Sequence, residues 1–180
     1  LDVYWGTYAP EKNFAKVALF GCYFPQMTAG PVTRFQEMKD TLFSGHRLNY
    51  QNIKFGAQRI LWGFFKKLLI AEWLIIFIRN IYADALSLPG SLTFFATVCY
   101  AIYLYADFSG CMDIVIGTSE MFGIRLPENF ERPFFSVSLG EFWRRWHITL
   151  GLWFKEYLLY PLLKSNRFQD VKVYCKRKWG

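Results

Sequence analysis

The sequence predicts an all-α, polytopic integral membrane protein with spanning, re-entrant and interfacial helices. Three observations point there. Hydrophobic residues make up 53% of the 180 and aromatics 21%, above the apolar share of roughly 45–50% usual in soluble domains. Residues 85–106 form a run of 22 without a charge. Residues 141–160 repeat their aromatic side chains at helical spacing. A mean hydropathy of only +0.13 means that spanning helices alternate with interfacial segments and loops.

The first apolar segment, 15–22, runs into Pro25, Gly30 and Pro31. It is shorter than the ~20 residues that cross a bilayer, and its prolines break a helix, so it reads as re-entrant or interfacial. Residues 33–67 hold seven Lys/Arg against two acids, with a loop expected around Phe43, Ser44, Gly45 and His46. Residues 60–83 read as a crossing helix whose Lys66 and Lys67 snorkel at one end, leaving Glu72 as the awkward charge. After a turn around Pro89 and Gly90, Leu92 opens the best spanning helix. It reaches spanning length by continuing through Asp107 towards Ile116.

Two acids near its end, Asp107 and Asp113, are six residues apart and lie on different faces, so they do not form an acid/base pair. Their expected partners are Arg125 or Arg132, unless they mark a functional position inside the membrane. Pro127, Glu128, Asn129 and Phe130 read as a turn that places the next element.

Residues 141–160 read as one amphipathic helix lying in the membrane plane. Ser138 with Glu141 would form its capping box and Pro161 would stop it. Trp146, Leu150, Trp153, Tyr157 and Tyr160 form the aromatic stripe, while Arg145, Thr149 and Glu156 lie on a more polar face. His147 sits beside the stripe, with Trp143 a turn before and Gly151 a turn after. A histidine there can act as a general base near neutral pH, or it can be held by a backbone carbonyl at an interface. Arg144 and Arg145 suit lipid head groups or acidic partners, and His46 is the poorer candidate.

The net charge of +7 is spread among apolar runs and no nucleic-acid module appears, so nucleic acid is not expected as a partner. The four cysteines have no CxxC spacing and read as packed thiols, not as a metal or disulfide set.

Four stretches in order resemble the membrane-bound O-acyltransferase family: YFPQMTAGP at 23–31, YADFSGCMDIVIG at 105–117, FGIRLPENFERP at 122–133 and EFWRRWHITLGLWFKEYLLYP at 141–161. The bacterial branch of alginate O-acetylases and the D-alanyl transfer protein of teichoic acid synthesis is the most similar. The resemblance implies a helical fold around a tunnel, and transfer of an acyl group, acetyl first, to hydroxyls of a cell-surface polysaccharide. D-alanyl transfer to teichoic acid is the alternative within the family; a non-catalytic scaffold or a transporter subunit is the alternative outside it.

His147 matches the histidine of the family's WH motif and is expected to line the tunnel. Trp143, Trp146, Arg144, Arg145, Asn129 and Asp107 are expected as substrate contacts. No metal and no tightly bound cofactor are implied; the donor is an acyl thioester, on coenzyme A or a carrier protein at the cytoplasmic side. Other expected partners are membrane lipid and an extracytoplasmic acyltransferase or the polysaccharide itself. The family's most characteristic histidine belongs to a later helix. The 180 residues are therefore expected to be a single membrane domain, the central fragment of a longer multi-pass protein of the cell membrane, and inactive alone.

The basic stretches 34–67 and 125–178 are expected to share the cytoplasmic side, with 84–91 outside. Single cysteines at Ser87 and Ser165 of the full-length protein should therefore label with an impermeant thiol reagent from opposite faces; labelling from one face contradicts the two-crossing topology.

Overall fold

The computed structural model describes residues 2–27, 29–84, 86–165, 168–170 and 178. The described residues are helical, joined by turns and extended stretches, with one isolated bridge between Phe130 and Trp146. The chain divides into two compact units, 13–129 and a second made of 1–12 with 130–180.

The first unit begins with short helices. α1 (Phe14–Gly21) is capped by Asn13, whose Oδ1 accepts from the Ala15 amide at 3.0 Å. α2 (Phe24–Met27) and α3 (Phe35–Leu42) follow, and Phe20 meets Phe35 edge-to-face at 5.4 Å. These lengths agree with a segment too short to span. The expected loop runs from Phe43 to Asn49.

Asn49 then caps a helix that starts ten residues earlier than its apolar pattern suggested. α4 (Tyr50–Phe64), a π-helical stretch (Phe65–Ala71) and α5 (Glu72–Ala83) run on without a break. A polar first part is tolerated because helix formation is carried by capping and by the packed face, not by hydropathy. α6 (Gly90–Met121) returns alongside it, 32 residues long. Among the described helices it alone is long and apolar enough to cross a membrane.

The two rods meet backbone to backbone. A Cβ on Gly63 would stand 2.6 Å from the carbonyl oxygen of Gly110, and one on Gly110 would stand 2.8 Å from that of Gly63. Gly56 and Gly117 repeat the arrangement at 2.5 and 2.7 Å. Small residues at such a seam let two helices approach closely.

Charges line the same seam, and here two expectations change. Lys66 does not snorkel: it is buried, donating to Ser109 Oγ at 3.0 Å and pairing with Asp113 at 2.5 Å. Lys67 pairs with Asp107 at 2.5 Å. The acids therefore take their partners from the preceding rod, not from Arg125 or Arg132. The π-helical stretch explains how two consecutive lysines both reach α6, because a wider turn rotates successive side chains less than an α-turn does. Glu72 is exposed on α5.

In the second unit, a 3₁₀ turn (Pro133–Phe135) leads to α7 (Leu139–Arg145). Ser138 caps it, accepting from the Glu141 amide at 3.2 Å, while Glu141 Oε2 accepts from the Val137 amide at 2.9 Å. The expected cap is present, with the reciprocal bond shifted one residue back. The expected continuous helix is not. Trp146 is extended and His147 is left-handed, and α8 (Ile148–Phe154) begins afresh. Pro161 does not stop the chain either: a π-helical turn (Lys155–Leu159) leads directly into α9 (Tyr160–Lys164), which contains it. The wider turn gives room to a ring that would clash with the carbonyl four residues back in a regular helix. Of the cysteines, Cys99 is buried and Cys111 half-buried, but Cys22 is exposed and so is not a packed thiol. Cys175 lies outside the described residues.

Gly63→Ala and Gly110→Ala should each destabilise the protein by ~1–3 kcal/mol, the usual cost of forcing an added methyl into a packed contact, despite alanine's better helix propensity. Gly140→Ala in α7, where the nearest neighbour to an added Cβ is the Arg144 Nη1 at 3.8 Å, should be neutral or stabilising by up to ~1 kcal/mol. Thermal unfolding in detergent reads all three.

Candidate functional site

The break between α7 and α8 places the histidine. Trp146 lies opposite Phe130 in an isolated antiparallel bridge, where the Glu131 amide donates to the Arg145 carbonyl at 2.9 Å. Trp146 still closes α7 through its amide, which donates to the Phe142 carbonyl at 2.9 Å, and its extended φ/ψ ends the helix there. His147 then turns with φ +45° and ψ +53°, and its carbonyl accepts from the Gly151 amide at 3.1 Å to open α8. Left-handed backbone is uncommon outside glycine, though asparagine, aspartate and histidine are enriched there. Arg132, at φ 46°, makes a second such turn two residues after Phe130.

Around this junction the aromatic side chains interlock. The Phe130 ring lies 6.3 Å from the His147 ring at 26° and meets Trp146 edge-to-face at 5.1 Å. Phe142 stacks on Trp146 at 5.5 Å, and Phe134 stands 6.3 Å from both. His147 is half-buried among them. That burial pushes its pKa below the ordinary value of 6.5, because removing water disfavours the charged form. At neutral pH the imidazole is therefore uncharged and carries one nitrogen lone pair able to accept a proton.

The neighbouring side chains divide. Trp143 is 60% exposed and Arg144 is exposed. Arg145 pairs with Glu141 at 2.6 Å along α7, which turns it into a brace for that helix. Thr149 is buried. The other expected contacts belong to the first unit: Asp107 is held by Lys67, and Asn129 has no exposed surface and donates from Nδ2 to Met112 Sδ at 3.2 Å. His46, exposed in its loop, reaches Thr41 O and covers Gly123.

The sequence reading passed over Arg59, Phe130 and the role of Glu128. Arg59 engages Asp113 at 3.0 Å and both carboxylate oxygens of Glu128 at 2.7 and 2.5 Å. A signal existed: acids on a long apolar helix need cations, and Arg59 shares its rod with Lys66 and Lys67.

The sequence matches the membrane-bound O-acyltransferase family, MBOAT, over residues 11–174. It is 38% identical over 174 residues to the probable alginate O-acetylase AlgI of Pseudomonas syringae pv. tomato, which takes in 97% of this chain and 33% of that protein. It is 40% identical over 167 residues to the peptidoglycan O-acetyltransferase of Helicobacter pylori, covering 91% of this chain and 31% of that one. The teichoic acid D-alanyltransferase of Bacillus subtilis is 32% identical over 178 residues, with coverages of 97% and 42%. The chain thus spans about a third of the length of the two acetyltransferases.

The left-handed junction makes a stability prediction. His147→Val should be ~1–2 kcal/mol less stable than His147→Gly, because a β-branched residue strains where glycine does not. Equal thermal midpoints for the two variants would mean that the helix runs through this position.

Proposed function

This chain belongs to the membrane-bound O-acyltransferase family, and from that premise we propose that it is the central part of an enzyme acetylating hydroxyls of a cell-envelope polysaccharide. The observation that carries this reading is the His147 junction: a half-buried imidazole, its ring 6.3 Å from that of Phe130, at a left-handed link between two helices. The named relatives support the acetyl group, since the acetyltransferases are 38–40% identical and the D-alanyltransferase 32%. D-alanyl transfer to teichoic acid is the second outcome to test.

The donor would be an acyl thioester, on coenzyme A or a carrier protein. In the reaction the acceptor oxygen attacks the thioester carbonyl, the C–S bond breaks and the thiol leaves with a proton. His147 accepts the hydroxyl proton or orients the hydroxyl for attack. Trp143 and Trp146 form the wall beside it, and Arg144 meets an anionic donor or lipid head groups. The second of these roles follows from Arg144's exposure at the edge of an aromatic surface.

Multi-pass insertion belongs to the same proposal. α6 is apolar enough to cross alone; the rod 50–83 is not, with Arg59, Lys66 and Lys67 on it. Pairing these cations with Asp107, Asp113 and Glu128 removes much of the charge cost that a crossing would carry. The two rods would therefore cross as a hairpin, with further spans in the rest of the protein.

In the full-length protein, His147→Ala should lower polymer acylation by on the order of 10²–10⁴, the range for loss of a general base, at matched expression and thermal stability. His147→Gln should retain more if the side chain orients the hydroxyl. As a base, His147 acts unprotonated, so wild-type activity should fall as pH drops through a value below 6.5, and His147→Gln should flatten that limb. Wild-type acylation by His147→Ala removes this residue from the mechanism. Transfer of D-alanine in place of acetate selects the second reading.

A further inference from the structure

Arg59 touches two carboxylates that lie on different elements. Its Nε donates to Asp113 on α6 at 3.0 Å, while Nη1 and Nη2 donate to the two oxygens of Glu128 at 2.7 and 2.5 Å. The planar fork fixes these directions together, which an ammonium group cannot do.

The two carboxylates do not depend on Arg59 equally. Asp113 is also paired with Lys66 at 2.5 Å. Glu128, among the described residues, has Arg59 as its ion partner. Removing the guanidinium therefore leaves the seam between the rods with its glycine contacts and with the Lys66–Asp113 and Lys67–Asp107 pairs. What it releases is Glu128. That residue lies in the stretch 124–129, outside any helix or ladder. Its other moorings are the Ile124 amide on the Ser119 carbonyl at 2.9 Å, the buried Ile124 and Leu126, and enclosed Asn129. Two residues beyond Glu128 comes Phe130, the bridge partner of Trp146 and the ring against His147.

We propose that Arg59 is a positioning residue for acyl transfer: its fork fixes Glu128, and with it the backbone from Pro127 to Asn129, the stretch that runs directly into Phe130. The proposal rests on the acyltransferase reading of His147. It assigns Arg59 no contact with substrate. Its effect is on the order of the stretch that leads into Phe130, and loss of order next to reacting groups is expensive in rate.

The test uses the full-length protein with Arg59→Lys, Arg59→Gln, Glu128→Gln and the double variant Arg59→Gln/Glu128→Gln. Three quantities are measured: thermal midpoint, hydrogen exchange of amides 124–130, and kcat and KM for acylation. Arg59→Lys should keep its midpoint close to wild type, because Asp113 retains a cation. Its amides at 124–130 should exchange faster, and kcat should fall on the order of 10–100-fold with KM little changed. Glu128→Gln should behave alike, and the double variant should be no worse than either single one, since all break one clamp. Wild-type kcat in Arg59→Lys, unchanged exchange at 124–130, or additive losses in the double variant would each overturn the proposal. A general fall in midpoint with uniformly faster exchange would overturn it too, by making Arg59 a fold residue. A wild-type protein that transfers no acyl group refutes the transferase reading and the catalytic half of this proposal, while exchange at 124–130 still decides whether the clamp exists.

Discussion

The contact of backbone with backbone at Gly63·Gly110 and Gly56·Gly117 is the constraint on which the first unit depends. No side chain separates the rods at these points, so the register between them is set to within a residue. That register decides which charges meet. With it, Asp113 faces Lys66 and Arg59, and Asp107 faces Lys67. A slip of one residue would turn buried cations away from their acids, and leaving one member of a buried pair alone costs ~3–5 kcal/mol. Steric fit and charge pairing thus select the same alignment, and agreement between levels is what gives a fold one answer.

From the glycine seam the consequences run outward. Close approach brings Arg59 within reach of both Asp113 and Glu128, and so anchors a stretch that has no secondary structure of its own. The π-helical turns serve a related end: one lets Lys66 and Lys67 both address α6, and the other admits Pro161 into a helix. At the second unit the governing feature is the Phe130–Trp146 bridge. Trp146 there is extended and His147 left-handed, so the imidazole sits at the link between α7 and α8 with the Phe130 ring beside it.

Much of this was legible from residue order. The long apolar helix past Asp107, the short elements before Pro31 and the cap at Ser138 all follow from local chemistry. The break at Trp146 did not, because the aromatic residues from Trp143 to Tyr160 keep helical spacing straight through it. A pairing with Phe130, distant in sequence, accompanies the break, and single-window periodicity cannot register it. The partners of Asp107 and Asp113 were missed for a similar reason. Proximity in sequence suggested Arg125 and Arg132, whereas an antiparallel hairpin brings residues 59–67 opposite 107–113. Glycines spaced by seven on each rod were the overlooked cue, since recurrence at that interval marks one helix face.

Cross-linking along the seam tests this register directly. A Cβ on Gly63 would lie 2.8 Å from Ile114 Cγ1, and one on Gly56 would lie 2.6 Å from Met121 Cγ, near where a cysteine sulfur would sit. In membranes holding the full-length protein, with its native cysteines replaced, mild oxidation should link Gly63→Cys to Ile114→Cys and Gly56→Cys to Met121→Cys. Gly63→Cys and Met121→Cys, two helical turns out of register, should remain unlinked. Equal linking of the offset pair, or no linking of either matched pair, would contradict the glycine-set register and the charge pairing built on it.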